Sequence, residues 1–131
     1  MIKVTASTGK SRYKTDIKTD DHAIVSDEPL SMGGKNLGFT PSQLLASSLA
    51  SCTGITLRMY ADRKGWDLEE TMIDITFDNK PETKMPKMTM NIRVFGTLDE
   101  AQRNRLLEIA HNCPIHKLLG KSIEISTVLK D

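Results

Sequence analysis

"PSQLLASSLASCTG", residues 41–54, decides how the rest of the chain is read. Thr40-Pro41-Ser42-Gln43 opens a helix, with Thr40 as N-cap, Pro41 in the first helical position and Gln43 completing a capping box. The helix can run to about Lys64, with Gly65 as its stop. That is roughly 36 Å at about 1.5 Å per residue. Its first half carries hardly any charge, which predicts burial on most sides. Between Leu45 and Gly54 nearly every side chain is small (Ala46, Ser47, Ser48, Ala50, Ser51, Thr53), and Cys52 sits among them. Such residues either admit another backbone close to the helix or leave a cavity beside the thiol.

Before this helix the chain reads as short strands and turns. Ile2, Val4 and Ala6 alternate with polar residues, and Tyr13 to Thr19 and Ala23 to Ser26 follow as further strands. A glycine-containing loop, Asp27 to Phe39, leads into the helix. After it, Ile73, Ile75 and Phe77 alternate with polar residues, as do Met88, Met90, Ile92 and Val94, which predicts two half-buried strands. Lys80 to Lys87 joins them as an exposed hairpin loop. Thr97 and Glu100 read as a second capping box, opening a helix through Asn112 with a stripe of Leu98, Ala101, Leu106, Ile109 and Ala110. Pro114 interrupts it, a short turn resumes through Leu119 and ends at Gly120, and Ile123, Ile125, Thr127 and Leu129 form a last strand. Strands on either side of a long helix define an α+β protein. The expected organisation is one domain, 1–131: strands and loop over 1–39, the central helix over 40–65, and strands, second helix and final strand over 66–131.

A chain of 131 residues suits one core, and 38% hydrophobic with 27% charged residues places it among soluble globular proteins. Net charge is +1 with both signs interspersed, which argues against nucleic acid or a membrane surface as partner. No apolar run approaches membrane-spanning length and Met1 to Thr5 lacks a signal core, so a cytoplasmic location is the expectation. In a reducing compartment two cysteines 61 positions apart read as reactive or buried thiols rather than a permanent staple.

On helical spacing Cys52 shares a face with Leu45, Ser48, Leu49, Ile55, Thr56 and Met59. A free cysteine so placed can simply pack as a small hydrophobe. To act as a nucleophile it must ionise, and at three turns from Pro41 it lies beyond the reach of the helix dipole. A cation must then approach from elsewhere: Arg12, Arg93, Arg103 and Arg105 are the candidates outside the helix. Cys113, between Asn112 and Pro114, stands at a helix break near free backbone N–H groups that favour a thiolate. His111, Cys113 and His116 with Cys52 make a metal set conceivable, although the spacing matches no compact zinc pattern. There is neither a glycine-rich phosphate loop nor a Cys-x-x-Cys pair.

Taken together, the loop Asp27-Glu28-Pro29 to Gly38-Phe39-Thr40-Pro41, the helix Gln43 to Cys52 and Asn112-Cys113-Pro114 resemble the OsmC/Ohr family of thiol-dependent peroxidases. The resemblance implies an OsmC-like fold, with antiparallel sheets around a long buried helix, and an intertwined homodimer with sites at the subunit interface. It also implies that Cys52 attacks an organic hydroperoxide and that Cys113 resolves the sulfenic acid to a disulfide. An external dithiol then restores both thiols, with no cofactor and no metal. An arginine from the amino-terminal strands would hold the Cys52 thiolate; Arg12 is the nearest match, with Lys10 as the alternative alignment. Phe39, Leu45, Leu49, Ile55 and Met59 would line the approach for the organic group. The family's peroxidases carry a Glu directly after the helix-opening proline, where this chain has Ser42. The competing reading is a protein of the same fold that binds a small apolar or acyl ligand without turnover.

Overall fold

A computed structural model describes residues 1–130. The chain divides into two compact units, Met1–Leu45 and the remainder from Ala46 onward.

In the first unit, β1 (Thr5–Thr8), β2 (Thr15–Lys18) and β3 (Ala23–Ser26) form an antiparallel sheet in sequence order. Its pairings include Ala6 with Ile17 and Ile17 with Ile24. The loop after β3 is organised by Asp27, only 2% exposed. One carboxylate oxygen accepts from the N–H groups of Tyr13 (2.9 Å) and Glu28 (2.7 Å); the other accepts from Lys35 (3.3 Å) and Leu37 (3.2 Å). Burial raises the Asp27 pKa, but these four donors outweigh it and hold the carboxyl below its ordinary value.

The long helix α1 (Pro41–Lys64) begins as its sequence dictates: Gln43 N–H donates to Thr40 Oγ1 and Thr40 N–H to Gln43 Oε1. It ends at Gly65, whose φ of 68° suits a residue without Cβ. There Trp66 N–H reaches back to the Ala61 carbonyl and Gly65 N–H to that of Asp62, satisfying the last turn. Burial covers one stripe of the helix, Leu49, Thr53, Leu57, Tyr60 and Ala61. The expectation of cover on most sides is not met within the single chain, where Leu45, Ile55 and Met59 remain exposed.

In the second unit β4 (Asp67–Asp78) and β5 (Lys87–Thr97) form a long antiparallel hairpin with Ile73 opposite Ile92 and Ile75 opposite Met90. Alternation places Thr71, Ile73, Ile75 and Phe77 on the covered face, as the period of two requires. Gly54 of α1 explains part of the small-residue run. A Cβ there would lie 3.4 Å from Thr71 Oγ1 and 3.6 Å from Ile73 Cδ1, so the helix meets β4 closely at this point.

Helix α2 (Glu100–Ala110) is capped by Asp99 with Gln102, not by the expected Thr97 with Glu100. Thr97 still belongs to β5, and its N–H donates to Asp67 Oδ2 at 3.1 Å. A shorter helix α3 (Pro114–Leu119) follows. Leu57, Tyr60 and Ala61 of α1, Leu68 of β4, and Leu106, Ile109 and Ala110 of α2 form the core, flanked by Trp66, Ile92, Val94 and Leu98. The strand expected at Ile123 to Leu129 is absent: these residues form no ladder among the described residues, and Ile123, Ile125, Val128 and Leu129 are exposed. Alternation alone makes no strand when no neighbouring edge supplies hydrogen bonds.

Candidate functional site

The core locates the site. Leu106, Ile109 and Ala110 of α2 cluster with Leu57, Tyr60 and Ala61 of α1. Three residues beyond Ala110, Cys113 arrives one turn earlier on α1, beside Cys52 and Thr53. Pro114 takes the first position of α3, so Cys113 is left in extended backbone (φ −57°, ψ 130°) as its N-cap. Both cysteines are free; Cys52 is half-buried and Cys113 wholly buried. The two thiols lie close enough for each to influence the other's ionisation.

The two sulfurs ionise differently. Burial, followed by the hydrogen bond to Cys113, pushes the Cys52 thiol up; the N–H of Ile115 and the hydroxyl of Thr56 oppose this without reversing it. Burial would also raise Cys113, but the Cys52 thiol, the N–H groups of His116 and Ile115, and the Thr53 hydroxyl together bring it below its ordinary value. The Cys113 side chain makes no formal cap hydrogen bond, so the N–H groups act on it by proximity and direction. In the single chain the balance of these influences thus favours the ionised form of Cys113 and disfavours that of Cys52. None of the strongest influences on Cys52 is a cation.

Three of the four candidate arginines are engaged elsewhere. Arg93 pairs with Asp74 (3.2 Å), Arg103 donates to the Val94 carbonyl (3.3 Å), and Arg105 donates to Tyr60 (3.1 Å) and Glu108 (2.7 Å). Arg12 lies exposed in the turn between β1 and β2 and joins none of the ion pairs among the described residues. The Asp27 carboxylate accepts from four backbone N–H groups. Of the expected approach residues, Leu49 is buried, whereas Phe39, Leu45, Ile55 and Met59 are exposed. A cleft of about 410 Å³ runs between α1 and β4, lined by Ala50, Ser51, Gly54, Ile55, Thr71 and Ile73. No three His, Cys, Asp or Glu side chains converge as metal ligands among the described residues, and His111 Nδ1 lies 2.9 Å from the Leu107 carbonyl.

Thr56 neighbours Cys52, Thr53 neighbours Cys113, and Met90 Sδ lies 3.5 Å from Thr53 Oγ1; none of the three was read as a site residue. The signal for Thr53 was present: it is the one hydroxyl in a stripe that otherwise runs Leu49, Leu57, Tyr60, Ala61.

Fold and site define a class: α+β chains in which a long helix presents one thiol to a second at the start of a later helix. A model of the OsmC-like protein family matches residues 33–128, and the chain belongs to that family. Solved structures agree in fold. An OsmC-like protein from Mycoplasma pneumoniae superposes with TM-score 0.79 at 18% identity, covering 92% of this chain and 87% of that one. The organic hydroperoxide resistance protein OhrB of Bacillus subtilis gives 0.60 at 25% identity, covering 90% and 89%. One from Elizabethkingia anophelis gives 0.65 at 22%, covering 90% and 86%. No curated protein matches the sequence.

Proposed function

We propose that the protein is a thiol-dependent peroxidase that reduces organic hydroperoxides in the cytoplasm. The observation that carries this reading is the closeness of Cys52 and Cys113, near enough to perturb each other's ionisation, in a member of the OsmC-like family. In the first step the ionised form of Cys113, which its surroundings favour, takes the Cys52 proton. The Cys52 sulfur then attacks the terminal peroxide oxygen; an S–O bond forms, the O–O bond breaks, and the alkoxide leaves as alcohol with that proton. Sulfur is oxidised by two electrons and the peroxide is reduced. In the second step the Cys113 thiolate attacks the Cys52 sulfenic acid, an S–S bond forms and hydroxide leaves, taking up a solvent proton as water. An external dithiol returns both thiols by exchange.

Arg12, the candidate not otherwise engaged, is assigned to lower the Cys52 pKa in a homodimer of two chains. Exposure of Leu45, Ile55 and Met59 on α1, and of the apolar tail Ile123 to Leu129, supports such an assembly. Leu45, Leu49, Ile55, Met59 and Phe39 then line the path of the organic group. In the test, reduced protein is mixed with cumene hydroperoxide and a dithiol, and cumyl alcohol is measured. Turnover is expected, with loss in Cys52→Ser and at least a tenfold fall in Arg12→Ala, which removes the assigned cation. Turnover that survives Cys52→Ser contradicts the assignment.

The raised Cys52 thiol favours a second reading, a protein that binds a small apolar or acyl ligand without turnover. That reading expects no cumyl alcohol from the wild-type chain and retained ligand binding in Cys52→Ser.

A further inference from the structure

Arg12 stands in the turn between β1 and β2, and that turn has little of its own to hold it. Among the described residues, none of the backbone-to-backbone hydrogen bonds outside the helices and ladders involves residues 9–14. Its ties run instead to the loop after β3, and they fall on both neighbours of Arg12. On one side the Tyr13 N–H donates to Asp27 Oδ1 at 2.9 Å. On the other the Lys35 ammonium donates to Ser11 Oγ at 3.2 Å. The Tyr13 ring also lies on the loop, with Cε2 3.6 Å from where a Cβ on Gly33 would stand.

We infer that Asp27 is a positioning residue for the proposed reaction, holding through the Tyr13 N–H the turn that carries Arg12, with Lys35 as a second and weaker hold. The inference rests on the reading of Arg12 as the cation that serves Cys52. The two holds differ in weight. Lys35 and Ser11 meet at the exposed surface, where water competes for both groups. Asp27 is buried, and a hydrogen bond to an ionised acceptor is roughly twice as strong as one between neutral groups. The same carboxylate accepts from Glu28, Lys35 and Leu37, so the loop fixes the point from which the Tyr13 bond is made. A guanidinium on a free turn spreads over many rotamers and backbone states, a freedom it loses on meeting an anion. Fixing the backbone on either side removes part of that loss in advance.

The test has two arms, both on the full chain. Asp27→Asn keeps the size of the side chain but replaces one acceptor oxygen by an NH2 group that faces backbone donors. Amide exchange followed by nuclear magnetic resonance should show the Tyr13 N–H exchanging about fivefold faster or more, relative to that of Ile17 in the middle strand β2. Cumene hydroperoxide turnover is then compared in the parent, Asp27→Asn, Arg12→Ala and the double variant. Asp27→Asn is expected to lower kcat/KM about fivefold or more where Arg12 is present and less than about twofold where it is alanine. An Asp27 that served stability alone would lower both backgrounds alike. Should Asp27→Asn not fold, Lys35→Met, which cuts the tie to Ser11 and spares the carboxylate, goes through the same cycle with a fall of about twofold expected in the Arg12 background only. Unchanged Tyr13 exchange relative to Ile17 in Asp27→Asn, or a fall in turnover that is absent or equal in the two backgrounds, overturns the inference. Faster Tyr13 exchange in a protein that consumes no peroxide upholds the hold on the turn and removes the peroxidase reading instead.

Discussion

Asp27 and Cys113 follow one rule at the scale of the residue: backbone and side-chain donors favour the ionised form of a buried acid against the cost of burial. For Asp27 the folded carboxyl titrates below its unfolded value, so its contribution is complete above the unfolded pKa, near 4, and lost as pH falls through the folded pKa. Asp27→Asn should therefore unfold more readily at neutral pH and lose part of the parent's acid sensitivity. Chemical denaturation at several pH values checks this, and equal stability at neutral pH contradicts it. Under the proposed mechanism Cys113→Ser should still consume a first portion of peroxide, but more slowly, because the attacking sulfur remains while its proton acceptor is gone. It should then inactivate as Cys52 proceeds to sulfinic acid, which mass spectrometry detects. Both cysteines were legible in the sequence because thiols are few and one adjoined a helix-breaking proline. Which thiol ionises more readily was not legible, since it depends on donors from Thr53, Ile115 and His116 that only the fold assembles.

Among the elements, α1 was the most legible. A capping box, a proline at the first position and a glycine stop are local signals, and each acts where it was read. Helix α2 began two residues later than its sequence promised, because hydrogen bonding across the hairpin kept Thr97 in β5. The final strand failed for the same reason in reverse, having the right alternation but no edge to join. The run of small residues is explained at Gly54, where β4 approaches the helix. Gly54→Val is expected to cost about 1–3 kcal/mol by overpacking against Thr71 and Ile73. Leu57→Ala, which empties a fully buried core site, should cost about 2–5 kcal/mol. Denaturant midpoints at constant slope measure both, and neutrality at either position contradicts the packing described.

For the whole molecule, the unmet burial of α1 is the informative departure. A chain that leaves Ile55 at 55% and Met59 at 66% exposure on one helix presents apolar surface to solvent. Ile55→Glu with Met59→Glu should shift the sedimentation of the protein from dimer to monomer and lower peroxide turnover together; an unchanged dimer places the interface elsewhere. The α+β class was legible because strand and helix periods are properties of short segments. Cover for the exposed faces lies beyond any single chain's pattern. No described helix is long and apolar enough to cross a membrane.

The most direct test of the central claim is peptide mapping by mass spectrometry after one equivalent of cumene hydroperoxide without reductant. A Cys52–Cys113 disulfide, with both free thiols of the chain consumed, is the result expected. Two intact thiols after exposure to the peroxide would contradict the account.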